Sequence, residues 1–127
     1  MKNVAICIAI LCFISSCSSS QKLKEDRAML KEYAYCSCVL SAFNDTALNH
    51  RDISLSVYWD ISGYGLGALN TIDSLANQFA SEIKPSIIAD HEGKKAVFLN
   101  CFIFYHSRQL DSLIKTLNKE HNRIKGW

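Results

Sequence analysis

Proline occurs once and glycine five times in 127 residues. So few breakers argue against many short strands and favour long helices. Charge of one sign is also missing, because the formal net charge is only +2. No Lys/Arg block, zinc-finger spacing or ladder of base-stacking aromatics is present, so nothing points to a nucleic-acid partner. After the first residues, no apolar run reaches the roughly 20 residues that span a bilayer. Internal repeats are absent, and the length fits one domain.

What is present begins with a leader. Lys2 supplies a positive start, and Val4 to Ile14 form an apolar stretch of signal-peptide length. Ile14-Ser15-Ser16-Cys17 follows, and resembles a bacterial lipobox: a branched aliphatic, two small residues, then the cysteine that becomes the lipidated N-terminus. The alternatives are an ordinary cleaved signal peptide or an uncleaved anchor. The expected division is a lipoprotein signal peptide over 1–16, a lipidated tether over 17–23 and a helical domain over 24–127. Several acyl chains on Cys17 would moor the chain stably, which one chain does not. Ser18 in place of Asp after the cysteine resembles an outer-membrane sorting signal. The expected location is therefore the periplasm, on a lipid anchor in the outer membrane.

Lys24 to Phe43 reads as the first helix. Met29, Tyr33, Cys36, Leu40 and Phe43 form its main stripe, with Leu30, Ala34, Ser37 and Ser41 a weaker one beside it. Asn44-Asp45 is its expected stop. Asp52 to Ser62 is ambiguous: Ile53, Leu55, Val57, Trp59 and Ile61 alternate as in a strand, yet Ile53, Val57, Tyr58 and Ile61 fit a helix with Asp52 as its N-cap. Gly63, Gly65 and Gly67 mark a joint; no Lys-Ser/Thr follows them to make a phosphate loop. Leu66 to Lys84 is a helix with Leu69, Ile72, Ala76, Phe79 and Ile83 on one stripe, ended by Pro85. Lys84 to Lys94 is a loop whose Ile87 and Ile88 are either tucked against the core or exposed for a partner.

Ala96 to Ser107 is the most apolar stretch after the leader, with no polar face at any period. A helix hydrophobic all round belongs at the centre of a bundle. Arg108 to about Lys125 is a last amphipathic helix, with Ser107 free to cap it and Leu110, Leu113, Ile114, Leu117 and Ile124 on one face. The expected fold is all-α: a compact bundle of about five helices around a central apolar helix, with one disulfide.

Of the six cysteines, Cys7 and Cys12 leave with the signal and Cys17 is lipidated, so Cys36, Cys38 and Cys101 remain. One disulfide and one free thiol is the simplest assignment in an oxidising compartment. Cys36 and Cys38 stand about 200° apart around a helix, so only one should face Cys101. The hydrophobic stripe favours Cys36. A bridge to Cys101 would close a loop of roughly 60 residues, worth about 4 kcal/mol at most on chain-entropy arithmetic. A reactive thiol assisted by His106 is the functional alternative, but both cysteines sit in apolar sequence. His91 between Asp90 and Glu92 is a ligand, a partner contact or simply a solvated turn. No carboxylate pair, metal-ligand set or triad converges, so the residues alone describe a small exported helical lipoprotein with no catalytic residue, metal or cofactor.

Leu30-Lys31-Glu32-Tyr33-Ala34, then Cys38-Val39-Leu40, resembles the first-helix motif of immunity proteins that neutralise type VI secretion amidase effectors of the fourth family. Asp52-Ile53-Ser54, Tyr58 and Ile72-Asp73-Ser74-Leu75 continue the pattern in order, and Cys101 to Asp111 is similar to the family's cysteine, tyrosine, serine, leucine-aspartate pattern. His106, the extra Cys36 and the lipid anchor depart from it. The resemblance implies an all-α fold, a helix over Asp52–Ser62 and a disulfide between Cys38 and Cys101. It also implies a non-enzymatic protein that binds a papain-like peptidoglycan amidase effector and blocks its active site, with a homodimer as the common assembly. Family members reach the cleft with a protruding loop. By position that loop is Lys84–Lys94, and its polar Asp90, His91 and Glu92 are the candidate contact residues. The competing function is an outer-membrane lipoprotein serving as a general binding or structural module without a toxin partner.

Overall fold

The computed structural model describes the backbone of residues 2–126 and the side chains of residues 21–126. Six α-helices follow one another: α1 Lys2–Phe43, α2 Thr46–Arg51, α3 Ser54–Ile61, α4 Leu66–Glu82, α5 Val97–Tyr105 and α6 Arg108–Ile124. A single 3-10 turn, Ala89–His91, lies between α4 and α5. No strand occurs among the described residues, and the fold is all-α.

The hub is α1 rather than the most apolar helix. α1 packs against α3, α4, α5 and α6. Its length lets several partners meet it on different faces. α5 has 9 residues and buries only Val97, Cys101 and Phe104. Phe98, Leu99, Phe102 and Ile103 remain more than half exposed. The expectation of a central apolar helix is therefore corrected. α5 rests on α1 and α4 with one face, and nothing among the described residues covers the rest.

The seam of α1 also differs from its expected stripe. Leu30, Tyr33, Ala34, Ser37 and Cys38 are the buried residues, while Cys36 is only half-buried and Phe43 is exposed. Tyr33 apart, the interface follows the weaker stripe, where Ala34 and Ser37 are small. Ala34 and Ser37 on α1 meet a helix whose buried face is Leu69, Ile72, Ala76 and Ala80. Small side chains let two backbones approach closely, and a Phe or Met there would hold them apart. With Cys38 on this inner stripe, the bridge forms from Cys38 to Cys101, with Cα atoms 5.7 Å apart. Cys36 is the free thiol.

Local chemistry sets the helix ends. Asn44 takes a positive φ of 48° and closes α1. Asp45 accepts hydrogen bonds from the Ala47 and Leu48 amides at 2.8 and 3.3 Å, starting α2, a short helix with no periodic stripe to announce it. Asp52 accepts the Ser54 amide at 2.9 Å, so Asp52–Ser62 resolves as helix, beginning at Ser54 rather than directly after the aspartate. Ser107 caps α6 by accepting the Leu110 amide at 3.2 Å. On α6, Leu110, Ile114, Leu117 and Asn118 are buried, and Ile124 is exposed.

Candidate functional site

The segment between α4 and α5 is exposed over almost its whole length. Pro85 has no amide hydrogen and cannot extend α4. The Ser86 amide then donates to the Lys94 carbonyl at 2.8 Å, and the Gly93 amide returns to the Ser86 carbonyl at 3.3 Å. These two bonds close the neck of a loop. Within it, the His91 amide donates to the Ile88 carbonyl at 2.8 Å and the Lys94 amide to the His91 carbonyl at 3.0 Å. The Ser86 hydroxyl oxygen accepts the Ile88 amide at 3.1 Å. Gly93 turns the chain at φ 77°, a conformation that side-chain-bearing residues rarely adopt. The loop is thus tied by its own backbone.

Its side chains point away from the core. Ile87 is 96% exposed and Ile88 63%. Asp90, His91 and Glu92 are exposed as well. Of the two alternatives open for the isoleucines, the structure takes exposure. Two adjacent aliphatics in water, on a segment held at its neck, are poor for solubility and suited to contact. The polar triplet attracted notice in the sequence, yet the larger apolar surface belongs to the isoleucines. Their signal was two aliphatic residues inside an otherwise polar loop.

In the bundle, a polar buckle ties three helices. The Tyr33 hydroxyl and the Ser37 hydroxyl each donate to Asp73, both at 2.7 Å. The Trp59 indole donates to the Tyr33 oxygen at 2.8 Å, joining α3 to the α1–α4 seam. Tyr58 donates to Glu32 at 3.1 Å and packs edge-on against Tyr33. Burial, then the Asp73 hydrogen bond, holds the Tyr33 hydroxyl far above its ordinary pKa. Burial and the Glu32 charge push Tyr58 up to about 12. Both stay protonated at neutral pH and act as donors. Glu32, Tyr33, Tyr58 and Asp73, on which the family resemblance partly rested, are scaffold residues here.

The remaining candidates are dispersed. Cys101 is bonded to Cys38 and has no thiol to offer. Burial, then the charges of Asp52 and Glu32, raises the Cys36 thiol pKa, the opposite of what a nucleophile needs. His106 ends α5 with its ring edge-on to Phe102 and Tyr105, exposed. No group of three or more His, Cys, Asp or Glu able to hold a metal gathers among the described residues. No described helix is long and apolar enough to cross a membrane. The expected lipidation at Cys17 lies outside the described side chains.

The class defined by this arrangement is a disulfide-stapled helical scaffold that carries a tied loop with two exposed isoleucines. The family model for type VI secretion system amidase immunity proteins, Tai4, matches residues 28–114, and the chain belongs to that family. The matched span runs from the α1 seam to the first turns of α6. It therefore takes in the buckle, the disulfide and the loop. Comparisons with curated proteins and with solved structures return no match.

Proposed function

We propose that this chain is a periplasmic immunity protein that binds a type VI secretion peptidoglycan amidase effector and occludes its active site with the loop Lys84–Lys94. The observation that carries this reading is Ile87, 96% exposed at a neck closed by paired backbone hydrogen bonds. An inhibitor gains from such preorganisation because little entropy remains to be lost on docking. Ile87 and Ile88 would supply the apolar contact, and Asp90, His91 and Glu92 would enter the polar cysteine–histidine site and exclude substrate. The scaffold takes no chemical step. The signal over 1–16 and an acylated Cys17 would place it in the periplasm, at the outer membrane, where the toxin acts.

A homodimer belongs to the same proposal. Phe98, Leu99, Phe102 and Ile103 form an apolar face with no charged side chain among them, and Phe43 packs edge-on to Phe98 at 5.4 Å. Homodimer interfaces are more apolar than those of transient complexes, which suits a second copy here.

The test is coexpression with an amidase effector of the same genome, exported to the periplasm. The wild-type chain should co-purify with the toxin and restore growth. Ile87→Asp/Ile88→Asp should fold normally yet weaken the complex by roughly 100-fold, about 3 kcal/mol, as expected for losing apolar anchors. Unchanged killing in the presence of the wild-type chain would instead favour a lipoprotein with no toxin partner.

A further inference from the structure

A second site lies in the cleft between α1 and α6. Its volume is about 510 Å³, and Leu23, Arg27, Lys115, Asn118, Lys119 and Arg123 line it with Asn122. Each of these residues falls outside the span 28–114 that the immunity family accounts for.

Three observations converge there. First, the seam between the two helices changes character within one turn. Lys31 pairs with Asp111 at 3.0 Å, the one ion pair among the described residues. At the next pair of positions a cation stands on both sides, Arg27 on α1 and Lys115 on α6, followed by Lys119 and Arg123. Asp111 feels both Arg27 and Lys115, but its hydrogen bond goes to Lys31. Asp26 acts on Tyr64 and His121 nearby. Four cations against these two acids leave the cleft positive. Second, Asn118 is 6% exposed, and its Oδ1 accepts the Tyr64 hydroxyl. Its Nδ2 is buried with no hydrogen-bond partner. A buried donor left empty costs free energy that a ligand acceptor would recover. Third, Tyr64 stacks on His121 with centroids 4.4 Å apart, which positions the hydroxyl that donates to Asn118 Oδ1.

We infer that this cleft binds a phosphate-type anion, with Arg27, Lys115, Lys119 and Arg123 as charged donors and the Asn118 amide as a neutral donor at its base. Tetrahedral oxyanions suit it because several oxygens can take separate donors at once. The position suggests one source. Leu23 lies about 9 Å along the helix from Cys17 at the ordinary helical rise. An acylated Cys17 would bring the cleft to the headgroups of the membrane, where lipid phosphates are the abundant anion. A free phosphate is the other source.

The test uses the full chain and its Lys119→Gln/Arg123→Gln variant. Gln keeps helix propensity, so α6 should persist. The Asn118 side-chain amide resonance is followed by NMR as inorganic phosphate is added at low ionic strength. It should shift saturably in the wild type, and the variant should bind about tenfold or more weakly, since two charge-assisted donors are gone. Lys94→Gln/Lys95→Gln should bind as the wild type does. In parallel, binding to phosphatidylcholine vesicles is compared with and without phosphatidylglycerol. The leader contributes equally to both chains, so only the gain from the anionic lipid counts. If the variant loses that gain, the headgroup is the source. If phosphate binds through the cleft and the vesicle gain is equal in both chains, the ligand is a soluble anion. No saturable shift at Asn118, or an equal shift in the variant, overturns the site. Toxin protection does not enter this experiment, so its outcome is separate from that of the immunity proposal.

Discussion

α5 and α6 lie side by side in sequence and invert a common expectation. α5 is almost wholly apolar, yet only Val97, Cys101 and Phe104 are buried. α6 is strongly charged, yet Leu110, Ile114 and Leu117 line up and bury cleanly against the bundle. The difference is one of coverage. A helix can bury only the faces its neighbours reach, and the neighbours of α5 are α1 and α4, both on one side. Apolar content therefore measures what a helix could bury. Which of its faces are in the core is set by topology.

The two faces of α5 provide the largest test. Phe104 is fully buried and stacks on Phe79 with centroids 4.8 Å apart. Phe104→Ala should cost about 3–5 kcal/mol, as for other buried aromatics. Phe102 is 54% exposed. Phe102→Ala should change the stability of the monomer by less than about 0.5 kcal/mol. Chemical denaturation of both variants measures the contrast. Equal losses would mean that the outer face is covered in solution. A second copy predicts that Phe102→Ala lowers the melting temperature only at concentrations where the wild type is dimeric.

The α1–α4 seam sharpens the same point with polar groups. Tyr33→Phe removes the hydroxyl that donates to Asp73 and accepts from Trp59. Ser37 still reaches Asp73, so the carboxylate keeps one donor. A loss of about 1–2 kcal/mol is expected, between the two phenylalanine variants, since two partly buried hydrogen bonds, to Asp73 and from Trp59, are lost together. Thermal unfolding of Tyr33→Phe checks it. A neutral result would show that water replaces the hydroxyl and that the seam rests on its apolar residues, Leu30 and Ala34 against Leu69, Ile72, Ala76 and Ala80.

These cases show what was legible in the chain. Helix type and most boundaries were, because Pro85, Ser107 and the stripes of α4 and α6 act locally. The spacing within α6 names Leu110, Ile114 and Leu117 as buried, but it also picks the half-buried Leu113 and the exposed Ile124 and passes over the buried Asn118. α2 was not legible, because six residues capped by Asp45 carry no period to detect. The inner stripe of α1 is not the more hydrophobic one, because size helps decide a close helix contact: Ala34 and Ser37 are weakly apolar yet bury beside Tyr33. Hydrophobic pattern likewise puts Cys36 ahead of Cys38, and only the family resemblance points to the pair that forms. The position of the loop followed from that resemblance. The exposure of Ile87 and Ile88 could not be chosen from sequence, since a tucked isoleucine and a presented one look alike there. The α1–α6 cleft was invisible because its cations lie far apart in sequence and come together only when α6 returns beside α1.

The smallest expected effect lies where that seam begins. Lys31 donates to Asp111 at 3.0 Å, and this bond, more than the surrounding cations Arg27 and Lys115, holds the carboxyl below its ordinary value of 3.8. A depressed folded pKa means that the charged carboxylate favours the folded state. Its contribution is full above the unfolded value and is lost as pH falls through the folded one. Asp111 is partly open to water, with 37% of its side chain exposed, so solvent screens the pair. Asp111→Asn should therefore cost at most about 0.5 kcal/mol at neutral pH and nothing measurable in strong acid. Added salt should shrink the difference further, because an exposed pair is screened over about 10 Å at 0.1 M. Denaturation of the two proteins across acidic pH and two salt concentrations measures it. A loss that persisted in acid would assign the role of Asp111 to the first turn of α6 rather than to Lys31. A loss well above this bound would show that the carboxylate also restrains Arg27 and Lys115. The cleft beyond would then be less free to receive an anion than its open cations imply.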